Sequence, residues 1–325
     1  MTKAGLRRMW RKIQWVAIVA FLALLGAELG LRLILGLGNP PLLVGDDQIG
    51  YMFAANQDLH RFGHRVKINR YHQRSDDISE QPGAGVRRML CVGDSVTWGG
   101  VLCEQRETYP EVLGRLLFDE GVSSPEVLNA SAGSWGIGNQ LAYLRRFGAF
   151  GSSVVVLQIG SGDLLQSKSN ADCVGQHASF PKRKPMLAIG ELTCRYILPQ
   201  IVSGSPSAAT VSSPEDKEGR FCRNMADFRA CVRLVRQAGA EVVVFHNRSR
   251  AEILGGEGEG AREAFRVRFL AVCREEHIAV VDLGEVWRDD ERVGRFFRDG
   301  VHLTEDGNAA AAVALLPVTI TALQK

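Results

Sequence analysis

The hydrophobic pattern divides the chain into two unequal parts. Near the start, fifteen consecutive residues from Ile13 to Ala27 carry no charge, and apolar character resumes around Glu28 and Arg32 as far as Gly38. A helix over 13–38 is long enough to cross a hydrocarbon layer of ~30 Å. Glu28 and Arg32 stand at i,i+4 and can pair on one face near the membrane surface. Lys3, Arg7, Arg8, Arg11 and Lys12 precede the run, and Trp10 and Trp15 sit where an interfacial aromatic belt belongs. A cleavable signal peptide starts in the same way, but Leu25-Gly26-Ala27 puts a bulky residue at the −3 place of any cleavage site. The pattern therefore predicts a retained transmembrane anchor over 13–38, with 1–12 as a basic cytoplasmic stub. The positive-inside rule then makes this a single-pass protein of the inner (cytoplasmic) membrane, with everything after Gly38 periplasmic.

Asn39-Pro40-Pro41 ends that helix, and 39–85 reads as a polar, turn-rich connector. From Val86 the pattern changes to apolar strands alternating with amphipathic helices. Strands are expected at 86–93, 125–131, 152–160, 241–247 and 278–283. Several are continuous apolar runs of the kind buried on both faces of a parallel sheet. Helices are expected over 108–121, 139–150, around Phe221 to Val235, over about 260–277, and from Thr304 to Leu323, with Thr304 as N-cap. Residues 164–218 interrupt the rhythm and read as an insertion. The expected fold is α/β: a doubly wound, parallel five-stranded sheet in an α/β/α sandwich over 86–325, with its site at the carboxyl ends of the strands.

Composition refines this only a little. The chain is 46% hydrophobic and 23% charged, and its 39 basic and 36 acidic residues leave a net charge of +3. That charge is too small and too evenly spread for a nucleic-acid partner. The seven cysteines form no C-x-x-C pairs, which argues against a zinc or redox site. Cys91 reads as a core residue, and Cys173 and Cys194 are candidates to staple a loop outside the cytoplasm. His60, His64 and His72 lack ligand-like spacing and read as surface residues.

Two motifs carry chemistry. Gly93-Asp94-Ser95-Val96-Thr97-Trp98-Gly99 follows the first expected strand. A serine on such a turn lifts its hydroxyl above the sheet and leaves its own N–H free to face an oxyanion. Asp299-Gly300-Val301-His302 precedes the last helix. Serine needs a base to take its proton, histidine has the pKa for it, and an aspartate must hold the imidazole in the right tautomer.

Together these motifs resemble the SGNH, or GDSL-type, hydrolases, over about residues 86–321. The resemblance implies Ser95 as nucleophile, His302 as general base and Asp299 as its orienter. It also implies an oxyanion hole built from the Ser95 N–H, a glycine after the second strand and an asparagine after the third. Gly133 is preferred over Gly136 for the glycine. The third block here reads Gly160-Ser161-Gly162-Asp163, so Gly162 stands where the asparagine is expected, and Ser161, Asn139 and Asn170 are the available substitutes. Trp98, Trp135 and His246 are candidate substrate contacts, each also readable as core.

The expected function is a serine ester hydrolase working through an acyl-enzyme, on acetyl or other acyl esters of envelope or exported glycans, with no metal and no organic cofactor. The anchor and connector also resemble those of membrane-tethered bacterial members. Two alternatives stand beside it: a glycan O-acetyltransferase using the same triad, and a catalytically degenerate, membrane-tethered binding or assembly protein, for which Gly162 speaks.

Overall fold

The computed structural model describes residues 3–201, 217–255 and 259–325. Its first element is the long helix α1 (Lys3–Leu33), whose residues are exposed along nearly its whole length. That helix is long and apolar enough to be a membrane span or a signal sequence. The last helix, α12 (Glu305–Leu323), passes the same test of length and composition, but it packs on the core of the domain.

Residues after α1, read from sequence as a connector, fold into two antiparallel hairpins. The first joins β1 (Leu43–Asp46) to β2 (Gly50–Phe53), and the second joins β3 (Gln57–Arg61) to β4 (His64–Ile68). They bury Leu43, Tyr51, Met52, Leu59, Val66 and Ile68 in the same hydrophobic core as one face of the main sheet. One inward position of β3 is Arg61, fully buried and paired with Glu191 at 2.6 Å. Removing one partner of such a buried pair typically costs about 3–5 kcal/mol.

The main sheet contains β5 (Arg87–Gly93), β6 (Pro125–Ser131), β7 (Val154–Gly160), β8 (Glu241–Asn247) and β9 (Ala279–Asp282). All are parallel, in the order β6-β5-β7-β8-β9. Every residue of β7 is buried, which is why its sequence shows no alternation. On one face, Leu90, Val155, Leu157, Val242 and Val244 pack with α4 (Ile137–Phe147), α7 (Lys217–Gln237) and α9 (Glu259–Glu275). On the other, Met89, Cys91, Val156, Val243 and Phe245 pack with α3 (Tyr109–Asp119) and α12. The chain is thus the doubly wound α/β/α sandwich expected. β5 lies between its two successors, β6 and β7, and the reversal of winding there opens a crevice at the strands' carboxyl ends.

The insertion after β7 is described as far as residue 201. It carries a continuous helical stretch, α-helical at its two ends, α5 (Ala188–Glu191) and α6 (Leu198–Ile201), and π-helical between them over Leu192–Ile197, and 202–216 lie outside the described residues. Single turns, α2 (Ser95–Trp98), α8 (Arg250–Ile253), α10 (Leu283–Val286) and α11 (Val293–Phe296), occupy the connections. Cys173 and Cys194 are free thiols, so the suggested staple is not formed.

Candidate active site

Ser95 opens α2 directly after β5. The turn is tight enough that a Cβ on Gly93 would collide with the Thr97 hydroxyl and with Gln158 Oε1. Asp94 caps the turn, its carboxylate accepting from the Val96 N–H at 2.7 Å. Gln158, wholly buried on β7, accepts from the Asp94 N–H at 2.7 Å and from the Thr97 hydroxyl at 3.1 Å. From β6, the Asn129 amide donates to the Thr97 carbonyl at 2.7 Å. Gly99 closes the turn at φ 75°, a conformation glycine adopts without strain.

The loop that follows is held by a cation. Arg74 is fully buried, and among the described residues no carboxylate pairs with it. It donates to the carbonyls of Trp98 and Gly100 at 2.6 Å each and of Cys103 at 2.7 Å. Burial lowers its pKa to about 10, so it remains charged at neutral pH. Nothing in the sequence signals this role, because the three acceptors are main-chain groups.

His302 and Asp299 sit in a narrow loop between α11 and α12. It is pinched by a bridge between Phe297 and Leu303 and by the Arg298 N–H donating to the His302 carbonyl at 3.0 Å. Leu303 is buried there, and Thr304 caps α12 by accepting from the Gly307 N–H at 3.1 Å. One Asp299 oxygen accepts from the N–H groups of Val301 and His302, at 2.9 and 2.8 Å. Its other oxygen lies 2.7 Å from His302 Nδ1, and His302 Nε2 lies 2.9 Å from Ser95 Oγ. Partial burial opposes ionisation of Asp299, but the two N–H donations outweigh it and hold the carboxyl below its ordinary value. Two contacts stitch α12 to the serine turn: Asn308 accepts from the Tyr109 N–H at 2.9 Å, and the Tyr109 hydroxyl meets that of Thr97 at 3.0 Å.

This line of hydroxyl, imidazole and carboxylate spans the two ends of the domain, and the region it encloses matches a known sequence family. The GDSL-like lipase/acylhydrolase family model covers residues 91–310. The chain belongs to that family. It is accordingly a hydrolase of the ester-cleaving class. Solved structures similar to this acylhydrolase include TesA, at 18% identity over 73% of this chain and 99% of that one, with a TM-score of 0.48. An acetyl xylan esterase, AlAXEase, is 14% identical over 71% and 98% of the two chains, with a TM-score of 0.48. A lipase/acylhydrolase from Enterococcus faecalis is 13% identical over 71% and 94%, with a TM-score of 0.45. No curated protein matches the sequence.

Around the serine of the acylhydrolase, several backbone N–H groups are without an acceptor. Among the described residues, the N–H groups of Ser95, Gly133 and Gly162 donate to nothing. Gly136 is different: its N–H donates to Asn139 at 3.0 Å, which leaves Gly133 as the available glycine. Gly162 is exposed, and a Cβ placed on it meets nothing within 4 Å. The substitutes considered for the expected asparagine differ in what they contact. Asn139 donates to Ile49 and Ser169 carbonyls at 2.6 and 2.8 Å, and Asn170 caps a short turn by accepting from the Asp172 N–H at 3.1 Å. The Ser161 hydroxyl is buried without a partner.

The three candidate substrate contacts, each also readable as core, all lie in the core. Trp98 stacks on Phe53 at 3.9 Å and lies under the Arg74 guanidinium. Trp135 is 1% exposed and donates its indole N–H to the Tyr51 carbonyl at 2.8 Å. His246 is fully buried, its Nδ1 2.8 Å from the Ile159 carbonyl, and burial lowers its pKa.

Beneath the site lie two acidic residues. Burial raises the Asp94 carboxyl to about 6. Burial, reinforced by the charge of Asp94, raises Asp163 well above its usual value. Asp163 accepts from the Gly160 N–H at 2.7 Å and so closes the turn that presents Gly162.

Proposed function

We propose that the chain is a serine ester hydrolase acting through an acyl-enzyme, with Ser95 as nucleophile, His302 as base and Asp299 as its orienter. The observation that carries this reading is the continuous line from Ser95 Oγ to His302 Nε2, at 2.9 Å, and from His302 Nδ1 to Asp299, at 2.7 Å. His302 takes the hydroxyl proton as Ser95 attacks the ester carbonyl. The Ser95 and Gly133 N–H groups receive the oxyanion. His302 then protonates the departing alcohol, and in the second half it deprotonates the water that releases the acid.

The substrate class we assign is a small acyl ester, above all acetyl, on an envelope or exported glycan. Support comes from the openness of the site: the Asp299 side chain is 49% exposed and that of His302 29% exposed. Position 162 adds no side chain. A bulky, polar alcohol can therefore sit outside while the acyl carbonyl meets Ser95. Transfer of the acyl group to a sugar hydroxyl instead of water uses the same residues.

The placement we assign is a retained anchor with the domain on the periplasmic side of the inner membrane. Its support is that the end of α1 is built into the fold. The Glu28 carboxylate accepts from the N–H groups of Ala188 and Ile189 at 2.8 and 3.0 Å, contacts that cleavage near Ala27 would separate from the apolar helix.

The test is a fluorophosphonate probe on the full chain in detergent, beside Ser95→Ala and His302→Ala. Labelling that both changes abolish supports the activated serine. Absence of labelling in folded wild type overturns it and favours the degenerate binding protein, with Gly162 as the cause. Incubation with an acetylated oligosaccharide then separates hydrolysis, which yields only free acetate, from transfer, which yields a newly acetylated acceptor.

A further inference from the structure

We infer that residues 182–198 form a second membrane contact, a basic and apolar surface that rests on the outer face of the bilayer beside α1. The inference extends the reading of α1 as a retained span and rests on it.

Depth is fixed by geometry. The 31 residues of α1 extend about 46 Å at 1.5 Å per residue, more than the ~30 Å of hydrocarbon they must cross. Counting about 20 residues onward from Ile13 brings the outer edge of the hydrocarbon to Leu33. Just there α1 is joined to the insertion: Arg32 donates to the Met186 carbonyl at 2.6 Å, and Glu28, one turn deeper, takes the N–H groups of Ala188 and Ile189. Met186 through Ile189 are therefore held at the outer edge of the bilayer, Met186 at the level of Arg32 and Ala188 and Ile189 about a turn below it.

The chemistry of that segment suits the depth. Met186 is 93% exposed and Leu187 58%, next to Leu33 and Ile34, which are 82% and 75% exposed. Ile197 and Leu198, further along the same segment, are exposed as well. Immediately before it run Lys182, Arg183 and Lys184, all exposed. Cations flanking exposed apolar side chains are the signature of a segment lying in an anionic interface. In water this surface would be a liability; against lipid it is covered.

Contacts behind the surface connect it to the site. The segment leans on the tip of the β3–β4 hairpin through Arg61 with Glu191 and through Phe62 against Tyr196. The other strand of that hairpin bonds the loop after Ser95: the Arg65 N–H donates to Glu104 at 2.8 Å and the Lys67 N–H to Gln105 at 2.6 Å. The occupant we assign is a phospholipid leaflet containing anionic lipid.

The experiment uses the full chain with Cys173, Cys194 and Cys222 changed to Ser, in lipid nanodiscs containing phosphatidylglycerol. A bimane probe is attached in separate proteins at Leu22→Cys, Met186→Cys or Val313→Cys, the last on the exposed face of α12. Nitroxide carried on lipid chains is expected to quench 22 and 186, and aqueous iodide to quench 313. Adding Lys182→Glu, Arg183→Glu and Lys184→Glu is expected to cut lipid quenching at 186 at least twofold. Iodide quenching at 186 with lipid quenching at 22 overturns the second contact alone, whereas loss of lipid quenching at 22 overturns the anchor itself. Shielding of 186 by an added acidic polysaccharide but not by lipid gives the patch to a polymer and also overturns the inference.

Discussion

Arg74 donates to the main-chain carbonyl of Trp98 at 2.6 Å while its guanidinium carbon lies 4.8 Å from the centre of that residue's own indole. One buried cation thus fixes both the backbone and the side chain at the end of the serine turn. Arg74→Met keeps the bulk but strands three carbonyls. Each unsatisfied buried group costs about 1–3 kcal/mol, so we expect a loss of about 3 kcal/mol in denaturant titration. Turnover should fall further than residual folding explains. A variant that is fully active and equally stable would show that the turn holds itself.

Asp299→Asn tests the orienter. Its amide can still accept from the N–H groups of Val301 and His302, but it presents a neutral partner to the imidazole. By analogy with other triads the loss in turnover is about 10⁴-fold. Because Asp299 is held below the usual carboxylate range, the wild-type acid limb should not follow its titration. A limb that moves with the Asp299 signal in carboxyl NMR would contradict this.

Gly162→Asn asks whether the site lacks a donor or has replaced it. Space is available around an added Cβ, and the position has no positive φ to strain a side chain. One oxyanion donor is worth roughly 10²–10³ in turnover elsewhere. We expect ester hydrolysis to rise at least tenfold without change in thermal midpoint. Unchanged activity would mean that backbone donors already complete the hole.

Asp163→Asn reads the buried acid pair. A carboxyl whose folded pKa is raised contributes stability fully below its unfolded value, and that contribution is lost as pH rises through the folded one. Asp94, at about 6, and Asp163, raised further by its charge, therefore weaken the wild type as pH climbs from about 4 toward and past 6. The asparagine retains an acceptor for the Gly160 N–H and cannot ionise. Midpoints should coincide near pH 3, below the unfolded carboxyl value, and separate at pH 8, with the variant higher by about 3 °C, the shift that roughly 1 kcal/mol makes in a large domain. A variant less stable at pH 8 would refute the protonated reading.

The parallel sheet was legible because burial on both faces writes strands as unbroken apolar runs, and the two outer motifs were legible because each packs its chemistry into one turn. The hairpins were not. In β3 the inward positions are Leu59 and Arg61, so a charge stands where the period demands an apolar residue. Its partner Glu191 is 130 residues away. His246 was readable either way from its place at the end of β8; counting by twos puts it on the face of Val242 and Val244, where it continues the core. The glycine choice at 133 rather than 136 depended on which N–H another side chain had already taken, which no spacing reveals.

The joint between α1 and the domain has a further consequence. A flexible linker would act as a leash, letting the head sweep a volume whose radius grows with linker length. Glu28 and Arg32 make a bracket instead, and a bracketed head works at a single height. On the proposed reading of α1 as a retained anchor, its encounters are governed by lateral drift in the plane of the membrane, and the glycan esters proposed as substrate are met only at that height.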